Sequence, residues 1–142
     1  MKFWDTSAVV PLCLHEPATT TVRPLAAADA DFVVWWSTRT ECLSALARRR
    51  REGQIRPSTD EGARRVLHAL AGVWTEVLPS ETIRQRSERL LNVHALRAAD
   101  AFQLAAALLW SRGRTADREF VCLDDRLRDA AAREGFRVLP AA

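Results

Sequence analysis

The chain has 142 residues, 48% of them apolar and 27% charged, which suits one hydrophobic core and excludes disorder as the main state. Its formal charge of +3 is a mild basic excess that tolerates a polyanionic partner without demanding one. No window reaches the roughly 18 apolar residues of a membrane span, and Asp5 and Pro11 break up the early apolar stretch, so a soluble, cytoplasmic protein is expected.

Met1 to Trp4 reads as a short first strand ending at Asp5, and Thr6 and Ser7 then offer cap chemistry for a helix to about Leu14. Pro17 opens a second helix running to about Asp31. Phe32-Val33-Val34-Trp35-Trp36 is a continuous apolar run of strand length, the pattern of a strand covered on both faces. Ser37 and Thr38 are N-cap candidates for a helix to about Glu52, which Gly53 stops. Ser58-Thr59-Asp60-Glu61 matches a capping box, and its helix places Val66, Leu67, Leu70, Val73 and Trp74 at three- and four-residue spacing. Thr75 to Leu78 is a short strand closed by Pro79. Ser80 caps the next helix, with Ile83, Leu90 and Leu91 on its inner side.

Ala98 to Trp110 is apolar on nearly every side and is placed as a buried helix. Phe120 to Leu123 is a strand, Asp124 to Glu134 a helix, Gly135 its stop and Phe136 to Leu139 a final strand. Strands alternating with helices imply an α/β fold with a mostly parallel sheet of about five strands and helices on both faces. No repeat or linker divides residues 1–142. In such sheets ligands gather at the carboxyl ends of the strands, where Asp5 and Asp124 both fall.

Four acids stand out, and each also has an ordinary structural explanation. Asp5 could be a plain N-cap. Glu41 fits a capping box with Thr38 and lies opposite the stripe of Cys42, Leu43, Leu46 and Ala47, so a solvated helix face accounts for it too. Asp100 sits among alanines at the start of an apolar helix, where an acid is paired, metal-bound or favoured by the helix N-terminus. Asp124 and Asp125 both follow the fourth strand, and one of them caps the next helix while the other is free to meet a neighbour such as Arg128.

Order and context make the set more specific than its members. The blocks Phe3-Trp4-Asp5-Thr6-Ser7-Ala8-Val9-Val10, Thr40-Glu41-Cys42-Leu43-Ser44-Ala45-Leu46, Leu96-Arg97-Ala98-Ala99-Asp100-Ala101-Phe102-Gln103-Leu104-Ala105 and Phe120-Val121-Cys122-Leu123-Asp124 run through the whole chain. Together they resemble the PIN-domain nucleases, in particular the VapC-type toxins of bacterial toxin–antitoxin pairs. The resemblance implies a single PIN-like domain over residues 1–142 and a catalytic set of Asp5, Glu41, Asp100 and Asp124. It also implies Mg²⁺ or Mn²⁺ held by Asp5, Asp100 and Asp124, with Ser7 as a supporting hydroxyl. Where family members often carry Thr or Ser, this chain has Cys122, whose thiol is a poorer donor. The doubled Asp124-Asp125 allows Asp125 to share the fourth acid's role.

The implied activity is an endoribonuclease that hydrolyses RNA phosphodiester bonds with metal-activated water, leaving a 5′-phosphate and a 3′-hydroxyl. The implied partners are RNA, a cognate antitoxin and a second copy in a homodimer, with no membrane. Carboxylates suit that chemistry, because a hard divalent ion takes oxygen ligands and both activates water and neutralises phosphate charge. Arg48-Arg49-Arg50-Arg51 spreads four charges around a helix end, where a solvated face is the ordinary reading; two of them lining the cleft would track phosphates. Trp35, Trp36, Trp74 and Trp110 are read as core.

Cys13, Cys42 and Cys122 form no CxxC pair and have no histidine in ligand spacing, against both zinc and a disulfide framework. A haloacid-dehalogenase phosphatase would need an acid where Ser7 stands, and a receiver domain needs a lysine after a later strand than Lys2. Two alternatives stay open: an RNA-processing or DNA-acting nuclease outside a toxin pair, and a catalytically silent binding module.

Overall fold

The first strand, β1 (Lys2–Trp4), lies at the centre of the sheet, because segments from both halves of the chain pair with it. In the computed structural model, which describes residues 1–141, the other strands are β2 (Phe32–Trp35), β3 (Thr75–Val77), β4 (Glu119–Val121) and β5 (Arg137–Leu139). The order is β3-β2-β1-β4-β5 and every pairing is parallel. Phe3 aligns with Val33 on one side and Phe120 on the other.

Parallel neighbours require long crossovers, which helices provide. These are α1 (Thr6–Cys13), α2 (Thr19–Ala28), α3 (Thr38–Arg51), α4 (Pro57–Ala71), α5 (Glu81–Val93), α6 (Ala98–Ser111) and α7 (Asp125–Arg133). No helix among the described residues is long and apolar enough to cross a membrane.

The continuous apolar strands follow from two cores. Alternate side chains point to opposite faces, so Phe3, Val33, Trp35 and Phe120 pack with α5, α6 and α7, while Trp4, Phe32, Val34 and Val121 pack with α1 to α4. Helix α6 is nearly all buried, as its composition predicts.

Several local expectations change, and Trp36, read as core, stands exposed just after β2. Helix α4 starts at Pro57, which needs no N–H partner at a first helical position, so Ser58 lies inside the helix and no side-chain cap forms. Asp60, Ala63 and Leu67 then define its buried face, and Val66 stands about 100° from Leu67, exposed together with Val73 and Leu91. Buried Asp60 ties two helices together, accepting from Arg64 at 3.0 Å and from Arg50 of α3 at 3.4 Å.

Gly53 and Gly135 end their helices at φ +71° and +99°. A Cβ on Gly53 would meet nothing, whereas one on Gly135 would come 2.5 Å from Thr115 Oγ1. Gly53→Ala should therefore cost about 1–2 kcal/mol, the usual left-handed penalty, and Gly135→Ala distinctly more. Urea unfolding of both variants checks this, and equal losses would contradict the steric account.

Candidate active site

All four acids predicted from sequence line one cleft of about 740 Å³ at the carboxyl edge of the sheet. Asp5 leaves β1 and caps α1, while Asp124 follows β4 and caps α7. The Asp5 N–H donates to the Val121 carbonyl at 2.9 Å, so the β1–β4 pairing itself sets the first acid beside the segment leading to the fourth. Glu41 and Asp100 stand in the first turns of α3 and α6. Asp125 is not among the cleft residues; it begins α7, and Asp124 alone of the pair faces the site.

Asp5 is 5% exposed. Its Oδ2 accepts from the Ser7 N–H at 3.0 Å and the Ser7 hydroxyl at 2.5 Å, with the Cys122 thiol at 3.6 Å. The same Ser7 hydroxyl accepts from the Leu123 N–H at 2.9 Å, which aims its proton at Asp5. Ser7 thus carries the orienting role, and the thiol adds a long, weak contact. Burial pushes the Asp5 carboxyl above its ordinary value, the Ser7 bonds pull it back, and repulsion from Asp100 adds to the rise.

Asp100 is also raised, by partial burial and then by Asp124, against the opposing pull of Arg97 and Arg126. Asp124 accepts the Leu127 N–H at 2.9 Å through Oδ1. Its cap role and its place in the cleft are therefore compatible.

Glu41 departs from the solvated-face expectation. Ser37, rather than Thr38, is the N-cap residue of α3, so the Thr38 to Glu41 capping box does not form. Instead the Ser37 hydroxyl donates to Glu41 Oε2 at 2.7 Å and Gln103 Nε2 donates at 3.1 Å. Burial raises Glu41, and repulsion from Asp5 and Asp100 adds to it.

Gln103, 1% exposed within α6, also places Nε2 at 3.1 Å from the Thr6 and Thr38 hydroxyls. Its Oε1 is buried without a partner. With Glu41 ionised, only the N–H end can face the carboxylate, which fixes the amide orientation. Sequence reasoning gave Gln103 no role. The signal was there: an uncharged polar side chain three residues after Asp100 and on its face, in the middle of a helix that is otherwise mostly apolar.

Among the described residues, none of the four acids enters a salt bridge. Nor are any three acidic, histidine or cysteine side chains arranged to hold a metal ion directly. Mg²⁺ asks for less, commonly one or two carboxylates with several waters. An all-carboxylate donor set, mutually repulsive and unpaired with lysine or arginine, fits a hard divalent cation. The cleft is also lined by Glu16, Arg48, Arg49, Arg97 and Arg126; of these, sequence reasoning weighed only Arg48 and Arg49.

No protein-family model matches the chain, and no curated protein matches it in sequence. Solved structures do match it in shape. PAE2754 from Pyrobaculum aerophilum superposes with a TM-score of 0.65 at 17% identity, over 97% of this chain and 88% of that one. FitAcB from Neisseria gonorrhoeae gives 0.63 at 17%, over 97% and 96%. A toxin–antitoxin complex from Klebsiella pneumoniae gives 0.58 at 18%, over 87% of each. What they share with this chain is the fold. The single α/β domain with its five parallel strands is the PIN-like arrangement expected above.

The raised carboxyls have a consequence for the metal-free chain. A folded-state pKa above the unfolded value means the native state binds more protons, so these groups cost stability as pH rises out of the ordinary carboxylate range. In EDTA, the wild-type melting temperature should fall relative to Asp5→Asn between mild acid and neutral pH, and added Mg²⁺ should narrow the gap. Parallel pH profiles for the two proteins would refute it.

Proposed function

We propose that this protein is a Mg²⁺- or Mn²⁺-dependent endoribonuclease acting as the toxin of a toxin–antitoxin pair. The observation that carries the reading is the convergence of Asp5, Glu41, Asp100 and Asp124 on one cleft, three of them held at raised pKa by burial and by one another. The toxin role and an antitoxin partner draw support from the fold shared with a toxin–antitoxin complex, and a homodimer belongs to the same reading. Three free thiols suit a reducing cytoplasm.

Asp5, Asp100 and Asp124 would hold the ion together, one or two of them directly and the rest through its waters. When bound, such an ion supplies Lewis acidity, acidifying water and neutralising phosphate oxygens. The chain's own work is orientation. Ser7 fixes the Asp5 carboxylate and leaves Oδ1 clear of the three donors on Oδ2. Ser37 and Gln103 hold Glu41 through Oε2, leaving Oε1 to orient water in the cleft. Arg97 and Arg126, close enough to Asp100 to lower its pKa, are placed to meet the phosphate that the acids would otherwise repel.

Asp5→Asn and Asp100→Asn should each reduce RNA cleavage by about a hundredfold or more, as loss of a charge-stabilising group does, with melting temperature in EDTA unchanged or raised. Gel assays with Mn²⁺ or EDTA, and growth on induced expression, read both halves; cleavage that survives EDTA and both substitutions would remove the proposal. Gln103→Leu should act differently, raising the Mn²⁺ concentration needed for half-maximal rate while leaving Asp5 and Asp100 in place. Unchanged Mn²⁺ dependence would assign Gln103 to packing alone.

A further inference from the structure

We infer that the α3 wall of the cleft is a binding trough for the backbone of a single-stranded RNA, in which Arg48 and Arg49 take a phosphate that flanks the scissile one. The inference rests on the ribonuclease reading and names the part of the substrate that reading leaves unplaced.

The trough is written into one helical face. Glu41, Ser44, Ala45, Arg48 and Arg49 all line the cleft, at spacings of three, four, seven and eight residues, the spacings that share a side of a helix. The middle positions are small, so nothing fills the space between the acid end and the basic end. At about 1.5 Å rise per residue, Arg48 lies roughly 10 Å along the axis from Glu41. That offset sets its backbone about two turns from the acid end. It suits a neighbouring phosphate.

Arg49 is prepared for an anion it does not yet hold. Its Nη2 pairs with Glu16 Oε1 at 2.8 Å, and both side chains are about three-quarters buried. Its Nη1 is buried without any acceptor. A guanidinium presents a planar fork suited to two oxygens of one group, yet Glu16 engages only one nitrogen. A phosphodiester that drew the guanidinium outward from Glu16 would supply the acceptor Nη1 lacks, with Arg48, exposed at the same end, adding a second positive charge. A carboxylate-bearing protein segment could satisfy the arginines alone, but it gives no reason for the trough to run on into the acid centre.

The test compares two substrates under Mn²⁺: a long single-stranded RNA and a dinucleoside monophosphate, which has only the scissile phosphate. On the long RNA, Arg49→Ala should raise KM about tenfold, the loss of one charge-assisted hydrogen bond, with kcat within about twofold. The slope of log binding against log salt should shrink by about 0.7, one phosphate contact on a single strand. Arg49→Lys should recover part of the loss. On the dinucleotide Arg49→Ala should be silent.

Glu16→Gln provides the opposing sign. Releasing Arg49 from its carboxylate should lower KM on the long RNA, whereas a purely structural pair would make both substitutions harmful. Losses of the same sign for both variants, or equal losses on both substrates, would overturn the trough. Fluorescence anisotropy of the long RNA, in Ca²⁺ to limit cleavage, separates the two levels of the argument. A wild type that cuts nothing but binds in an Arg49-dependent, salt-dependent way would sink the nuclease reading and keep the trough; a wild type that cuts RNA with no Arg49 dependence would do the reverse.

Discussion

Carboxylates that face one another across a partly dehydrated cleft repel, and the rest of this protein is organised around tolerating that repulsion. Asp5, Glu41 and Asp100 come from three different elements and each is raised by burial and by another acid of the set. The parallel ladder and two cores supply the free energy that keeps them together, since burial of side chains such as Phe3, Trp4 and Phe120 contributes about 1.5–3 kcal/mol each. Fixed donors then decide where each charge points. Ser7 does this for Asp5, Ser37 and Gln103 do it for Glu41, and the α7 N-terminus does it for Asp124. Under the proposed reading, a bound divalent cation would relieve this repulsion.

Much of this was legible in the residues because the signals were local. Apolar runs such as Phe32 to Trp35, glycines after helices at 53 and 135, and acids directly after strands all follow from short-range rules. The order of strands was less accessible, since it depends on which hydrophobic faces meet at a distance. What failed at close range failed for a physical reason. A capping box needs its hydroxyl at the N-cap position, and Pro57 at the first position of α4 and Ser37 before α3 leave Ser58 and Thr38 inside their helices. The inward assignment of Leu91 failed for a different reason, since it stands about 100° around the helix from the fully buried Leu90.

The candidate site divides along similar lines. Three of its acids drew notice because carboxylates after strands or inside an apolar helix call for an explanation, whereas Glu41, in an arginine-rich helix, joined them only through the resemblance of the four blocks. Gln103 could not be weighed without knowing that α1 and α3 both reach α6, where a single amide serves Thr6, Thr38 and Glu41. The pairing of Glu16 with Arg49 joins the stretch between α1 and α2 to the far end of α3, and no local pattern announces it. Basic residues beside acids were visible; which ones share a wall with them was not.

The central place of β1 has a consequence for how the molecule comes into being. Residues 2–4 leave the ribosome ahead of their neighbours in β2, which follow within thirty residues or so, letting half a sheet assemble early. The other flank of β1 must wait for residues 119–121, and Asp124 comes later still. A nascent chain therefore carries its first acid long before the last one can join it. Whatever this cleft does, it does only after Asp124 has emerged and β4 has paired.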